Sequence, residues 1–311
     1  KYIVSEAWLS STSINIYRAL AFEHCSIQTL YNEHNCLFHP FSGGAVDFKA
    51  ELVDKFMTVG WASSSNKFTS LSSLFQFGID AFNTGKYKIL YVSYCASEVM
   101  SCYWSSYANE GPFAIDHLNF SKEFFKYLPL PVLQSISYRG YPKDYFLPPG
   151  MRYDKELILK EYLQHVSLVN SNRTSGPTCK EQMAESQLVI VDFISTAYIE
   201  ALVINVPTIC FWDPNSMYLS DEYLDFFDDL IEANIIHTTP ESAASHLINI
   251  WHEPLIWWNS TKTQDKRRKW LETNFGDPSL LLNYLIKLSK DGTDISSTMQ
   301  KTGLTKNNKG T

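Results

Sequence analysis

The chain has 311 residues, 45% hydrophobic and 14% aromatic, with a formal net charge of -7. That length holds one large or two ordinary domains with ample core. The acidic balance argues against a nucleic-acid coat, yet allows a local basic groove around an anionic ligand. No stretch approaches the ~18 uninterrupted apolar residues that span a bilayer, and the apolar start carries neither a basic leader nor a cleavage site.

The opening KYIVSEAW reads as a strand with Glu6 at its end. Residues 14–21 read as a helix and 26–31 as a second strand, which runs into the His-, Asn- and Gly-rich loop 32–44. A third strand is expected over 54–59. Residues 1 to about 65 thus form part of an α/β sheet, too small for a complete Rossmann-like domain. A polar, Ser-rich bridge (62–73) and a turn at 83–86 lead to a second sheet. There the pattern gives a strand over 88–93, a helix around 119–128, a strand over 132–138 and then Arg139-Gly140-Tyr141-Pro142. A helix over 155–164, a strand over 166–169 and a helix over 179–185 follow. This alternation predicts a doubly wound parallel sheet with helices on both faces.

The most telling segment is 186–213, SQLVIVDFISTAYIEALVINVPTICFWD. A buried strand (188–191) ends at Asp192, a short turn carries Ser195 and Thr196, and a helix covers 197–203. Asn205 and Pro207 stop that helix, and a second strand covers 208–211. Hydroxyls at a helix start beyond a strand's carboxyl end make a ready phosphate site, although the same groups also serve as plain helix caps. Glu200, one turn along the helix, is placed to accept a ribose hydroxyl. Beyond Asp213 the chain is mostly helical (221–233, 240–251, 263–274), and the polar tail from about Lys290 reads as disordered.

The six cysteines show no paired metal spacing, and Cys210 sits inside an apolar strand, which suits a reduced, core-filling thiol. The eight histidines form no HExxH pattern, so no metal site is expected. Arg139, at a strand end, projects toward the crevice where anions bind.

The combination of Asp192, Ser195, Thr196, Glu200, Leu202, Asn205, Pro207, Trp212, His237, Pro240, Glu241, Trp257, Trp258, Gln264 and Arg267, in this order and spacing, resembles a family of transferases encoded in bacterial O-antigen and surface-polysaccharide loci. The resemblance covers most of 1–285. It implies a GT-B-like fold of two Rossmann-type parallel sheets facing across a cleft, related more distantly to the β-Kdo transferases that use CMP-Kdo. The N-terminal, acceptor-side domain (1–84) is then expected to be incomplete, the C-terminal domain (85–285) to hold the donor, and 286–311 to be a disordered tail. Where the family shows Gln-His-Gly, this chain has Glu33-His34-Asn35.

The implied activity is metal-independent glycosyl transfer, with no cofactor, from a nucleotide-sugar donor to a glycan or lipid-linked glycan. CMP-Kdo or another acidic sugar is slightly favoured. The setting would be cytoplasmic, with peripheral contact at the inner membrane as a minor reading. His34, Glu33 and Glu6 are the catalytic candidates, the carboxylates suiting a nucleophile or an orienting base. Arg139, Asp192, Ser195, Thr196 and Glu200 are the donor-binding candidates. A non-catalytic nucleotide- or glycan-binding module and a polyol-phosphate transferase with a CDP-type donor stand as alternatives. The tryptophans at 251, 257 and 258 read as helix packing, and the run 266–269 as a solvated basic face.

Overall fold

The computed structural model describes residues 2–5, 28–32, 53–61, 68–71, 84–94, 113–142, 154–172, 174–216, 219, 221–275 and 278–291. Strands β1 (Tyr2–Ser5), β2 (Gln28–Asn32), β3 (Lys55–Thr58) and β4 (Phe68–Ser70) form a four-stranded sheet in chain order. Every pairing in it is parallel. β4 falls inside the expected polar bridge 62–73. Phe68, packed edge-on against Phe56 at 5.5 Å and against Trp61 at 5.2 Å, supplies the apolar anchor that makes that segment an edge strand.

The second sheet contains β5 (Tyr87–Val92), β6 (Ile136–Arg139), β7 (Ser167–Leu168), β8 (Ser186–Val191), β9 (Thr208–Phe211) and β10 (Ile236–His237). Its order is β10-β9-β8-β5-β6-β7, again with all pairs parallel. The chain runs outward from β5 to β7, then returns to the other side of β5 and continues to β10. The order therefore reverses between β5 and β8, and the crevice for a ligand opens at such a switch point, beyond the strands' carboxyl ends.

Alternation along the strands divides the core. Ile89, Tyr91, Leu188 and Ile190 pack on one face with helices α1 (Phe113–Lys126) and α2 (Leu130–Leu133). Leu90, Val92, Val189 and Val191 pack on the other. Because both faces are covered, these strands read as unbroken apolar runs. The expected strand at 132–138 starts only at Ile136. Pro131 sits in the first turn of α2, where its fixed φ favours helix. The expected helix 155–164 splits at Leu159 into α3 (Lys155–Ile158) and α4 (Lys160–Leu163).

Helices α5 (Cys179–Ala184) and α6 (Thr196–Val203) flank β8. After β9 the expected helix 221–233 is a 3-10 turn (Asp221–Tyr223) followed by α7 (Asp228–Glu232). Then come α8 (Pro240–Ile250), α9 (Pro254–Trp258), α10 (Thr261–Phe275) and α11 (Pro278–Asp291). α11 extends past the expected start of the tail at 286. Among the described residues, no helix is long and apolar enough to cross a membrane.

The carboxyl end of α6 is held by residues the sequence singled out. Asn205 follows the helix with φ of 59°. The Trp258 indole donates to its backbone and side-chain oxygens at 3.2 and 3.0 Å, and the Gln264 amide donates to its Oδ1 at 3.2 Å. Arg267 Nε donates to Leu202 O at 2.7 Å, adding to the backbone N–H of Asn205 that the same carbonyl accepts at 3.2 Å. Arg267 is thus buried rather than part of a solvated basic face. Its neighbours Lys266 and Lys269 pair with Asp229 at 2.6 and 2.7 Å. Asn205→Gly keeps the left-handed backbone and loses the side-chain bonds, whereas Asn205→Ala loses both. We expect the alanine variant to be the less stable by about 1 kcal/mol, as read by urea unfolding.

Candidate active site

Val92 of β5 pairs with Arg139 of β6 on one side and with Val191 of β8 on the other. Ser93, Gly140 and Asp192 therefore leave the sheet side by side, across three strands that span roughly 10 Å. The functional candidates of this half of the molecule all lie on this edge or on the helix that follows it.

Asp192 is fully buried and is the centre of a polar network. Its Oδ2 accepts from Tyr91 Oη at 2.9 Å, Ser93 Oγ at 3.2 Å and Ser121 Oγ at 3.4 Å, and it forms an ion pair with Lys155. Its Oδ1 accepts from the backbone N–H of Tyr94 at 2.7 Å. Burial opposes ionisation here, but the Lys155 ammonium and these donors hold the carboxyl below its usual range. Lys155 Nζ also lies 3.0 Å from His117 Nε2. Burial and the adjacent ammonium push His117 down to about 3, so its ring is neutral and Nε2 accepts from the lysine. This cluster ties α1, α3, β5 and β8 together directly beneath the turn that starts α6.

The opposite face carries Arg139. The residue is 6% exposed, and its Nε donates to Gln182 Oε1 at 2.5 Å. Gln182 donates in turn to Asn170 O at 3.1 Å. No carboxylate pairs with Arg139 among the described residues. Cys179, at the start of α5, feels the charges of both Arg139 and Glu200, although burial dominates and pushes its thiol up to about 11. Arg139, Cys179 and Glu200 therefore share one electrostatic neighbourhood. Burial also raises the Glu200 carboxyl, with Lys180 pulling it back.

Ser195 stands at the N-cap of α6 in extended conformation, and its hydroxyl makes no capping bond. Ser195 and Thr196 are half-buried. Elsewhere the chain uses such hydroxyls as caps: Thr178 forms a full capping box with Glu181, and Thr239 accepts from Ser242 N at 3.2 Å.

The structure gathers Arg139, Asp192, Ser195, Thr196 and Glu200 around one end of one sheet. Asp192 is turned inward to Lys155 and not toward the crevice. Glu6, Glu33 and His34 lie outside the described residues; β1 and β2, whose ends precede them in the chain, pair with Ser5 opposite Tyr31. Lys155, His117 and Gln182 were not singled out by sequence. Lys155 opens a short polar helix, and nothing local marks its partner 37 positions away. His237 is likewise turned inward, with Nδ1 2.8 Å from Ser242 Oγ and Nε2 3.0 Å from Asn234 O. Among the described residues, no group of His, Cys, Asp and Glu is arranged to hold a metal ion.

Burial lowers both His237 and His246 to about 4. Between that value and the unfolded value of about 6.5, the unfolded chain binds more protons than the folded one, so stability falls as pH falls through this window. We expect the thermal midpoint to drop between pH 6.5 and 4, and His237→Leu to make that drop shallower.

The model of the LIC12162 family transferases matches residues 1–282 of this chain. No match is found among curated proteins. Among solved structures, the chain is similar to sucrose-phosphate synthase from Thermosynechococcus elongatus, at 10% identity over 94% of this chain and 74% of that one, with a TM-score of 0.50. It is also similar to the wall teichoic acid polymerase TagF, at 12% identity over 93% and 72% with a TM-score of 0.49. For MurG of Acinetobacter baumannii the values are 9% identity, 83% and 67%, and a TM-score of 0.43. Two parallel sheets with helices, in this likeness, make the fold GT-B-like, and the chain belongs to the LIC12162 family of transferases.

Proposed function

We propose that this chain is a GT-B-type glycosyltransferase whose six-stranded sheet binds a nucleotide-activated sugar. One observation carries the reading: Arg139, a buried guanidinium at the carboxyl edge of the sheet, has a neutral amide as its partner. Among the described residues this cation has no counter-charge; a buried cation in that state is expensive, and an anionic ligand would supply the charge. The start of α6, with the Ser195 and Thr196 hydroxyls, offers a second anion-seeking element on the neighbouring side of the same edge. Glu200 is the acceptor for a ribose hydroxyl.

Two separate anion-seeking elements suit a donor with two anionic groups. CMP-Kdo or another acidic sugar carries a phosphate and a carboxylate, and it heads the donors to be tested. Glu6, Glu33 and His34 are the proposed catalytic groups, a carboxylate attacking or stabilising the anomeric carbon and the histidine moving a proton. The acceptor is a surface glycan or lipid-linked glycan, met in the cytoplasm, with peripheral contact at the inner membrane as the minor reading.

The test is a thermal-shift screen against CMP, CDP, UDP and GDP, followed by product analysis. A nucleotide at 100 times its dissociation constant adds about 2.7 kcal/mol. Stabilisation by CMP that Ser195→Ala/Thr196→Ala abolishes supports the acidic-sugar donor. Preference for CDP, with phosphate in the product, indicates a polyol-phosphate transferase instead. Stabilisation by none of the four sinks the donor-binding reading.

A further inference from the structure

We propose that Gln182 is a positioning residue of the donor site, whose amide aims the Arg139 guanidinium and, being neutral, leaves its charge for a phosphate or carboxylate of the donor; this rests on the reading of Arg139 as the anion site. Gln182 is 1% exposed, and both ends of its amide are engaged. Oε1 accepts from Arg139 Nε at 2.5 Å, and Nε2 donates to Asn170 O at 3.1 Å. The amide cannot turn over. Reversed, its NH2 would face the Nε–H donor and its oxygen would face the Asn170 carbonyl, and neither pair can bond. The contact with Arg139 occupies Nε alone. Among the described residues no hydrogen bond or ion pair reaches Nη1 or Nη2, which leaves that end of the guanidinium for a forked contact.

Gln182 is itself held from two sides. The capping box of Thr178 and Glu181 fixes the start of α5, and Ser186 Oγ donates to Gln182 O at 2.7 Å, tying the end of that helix to the start of β8. Asn170 follows β7, the strand paired with β6, and its Oδ1 accepts from Asn172 N at 2.9 Å, which shapes the turn there. The amide thus bridges α5 and the loop after β7 to the residue that closes β6. A buried guanidinium is normally paired with a carboxylate, and glutamate would fill the same volume at position 182. Glu200, in the same neighbourhood, is not that partner: the charge acting on its carboxyl is Lys180. An amide gives Nε its acceptor without cancelling the positive charge, the arrangement a site needs when the ligand brings the negative one.

The experiment is calorimetric titration of pyrophosphate at pH 8 into the wild-type chain and into Gln182→Glu, Gln182→Met and Arg139→Met, with the folding of each checked by urea unfolding. Gln182→Glu keeps an acceptor on Nε but places a carboxylate, ionised at that pH, against the guanidinium; it should weaken binding at least about tenfold. Gln182→Met deletes both hydrogen bonds and leaves the charge uncancelled, so it should weaken binding by only about threefold. A merely structural role predicts the reverse order, because methionine removes two buried hydrogen bonds and glutamate one. Wild-type affinity in Gln182→Glu, or a larger loss in Gln182→Met than in Gln182→Glu, overturns the proposal. Wild-type affinity in Gln182→Met overturns it too, and decides even where the glutamate variant does not fold. Arg139→Met reports on the underlying reading: if the wild type does not bind pyrophosphate, or Arg139→Met retains it, the anion site itself fails. Loss in Arg139→Met with wild-type affinity in both Gln182 variants removes only the role of Gln182.

Discussion

Arg139→Met is expected to lower affinity for an anionic donor by at least about a hundredfold while leaving the unliganded protein as stable as before. Each charge-assisted hydrogen bond contributes about 1.5–3 kcal/mol, and a guanidinium makes two to a phosphate or carboxylate. Losing both corresponds to roughly 3–6 kcal/mol. The unchanged stability is the less obvious half. In the free protein Arg139 is a buried cation bonded to Gln182, so methionine removes a desolvated charge while leaving Gln182 Oε1 without that donor. These effects oppose each other and should cancel to within about 1 kcal/mol. Arg139→Lys should be intermediate in affinity, because an ammonium cannot bind in the same forked way. Titration paired with urea unfolding checks both halves. A large loss of stability in Arg139→Met would make the residue a structural one.

Lys155→Met should behave in the opposite manner, with a large loss of stability. It strands Asp192, fully buried, without its counter-charge. Removing one partner of such a pair costs about 3–5 kcal/mol, which for a unit of this size lowers the thermal midpoint by roughly 10 °C. The hydroxyls of Tyr91, Ser93 and Ser121 remain as donors, so the carboxyl can survive by taking up a proton, and the deficit should shrink at low pH. The double variant Lys155→Met/Asp192→Asn removes both charges and should recover most of the loss. Equal destabilisation in the double variant would mean that packing, not charge, makes Lys155 necessary.

How much of this was legible in the sequence depends on how local each signal is. β8, α6 and β9 were readable almost to the residue, because an apolar run bounded by Asp192, by the Ser195–Thr196 pair and by Asn205 and Pro207 fixes strand, helix start and helix stop without reference to the rest of the chain. The place of Arg139 at a strand end was readable because a polar residue closing an apolar run is a local pattern. Asp192 was noticed, but its orientation was not, since its partners Tyr91 and Lys155 lie 101 and 37 positions away. Two further elements were misjudged, one through a tertiary contact and one through a proline. Phe68 turned a polar segment into an edge strand, and Pro131 converted the start of an apparent strand into a helical turn. The role of Asn205, Trp258, Gln264 and Arg267 emerged only when the structure brought them to the same helix end.

That last group sets a schedule for α6 during synthesis. Helix α6, whose start is the proposed anion site, is bonded at its far end by side chains 53 to 65 positions later in the chain. A ribosome adding about 5–20 residues per second therefore exposes α6 roughly 3–13 s before Arg267 exists to seal it. Until then Leu202 O lacks its guanidinium donor and Asn205 has no indole against it. The helix of the proposed donor site is thus completed by the C-terminal helices, and nascent chains halted before residue 267 should be protease-sensitive at α6, whereas chains extending beyond α10 should not.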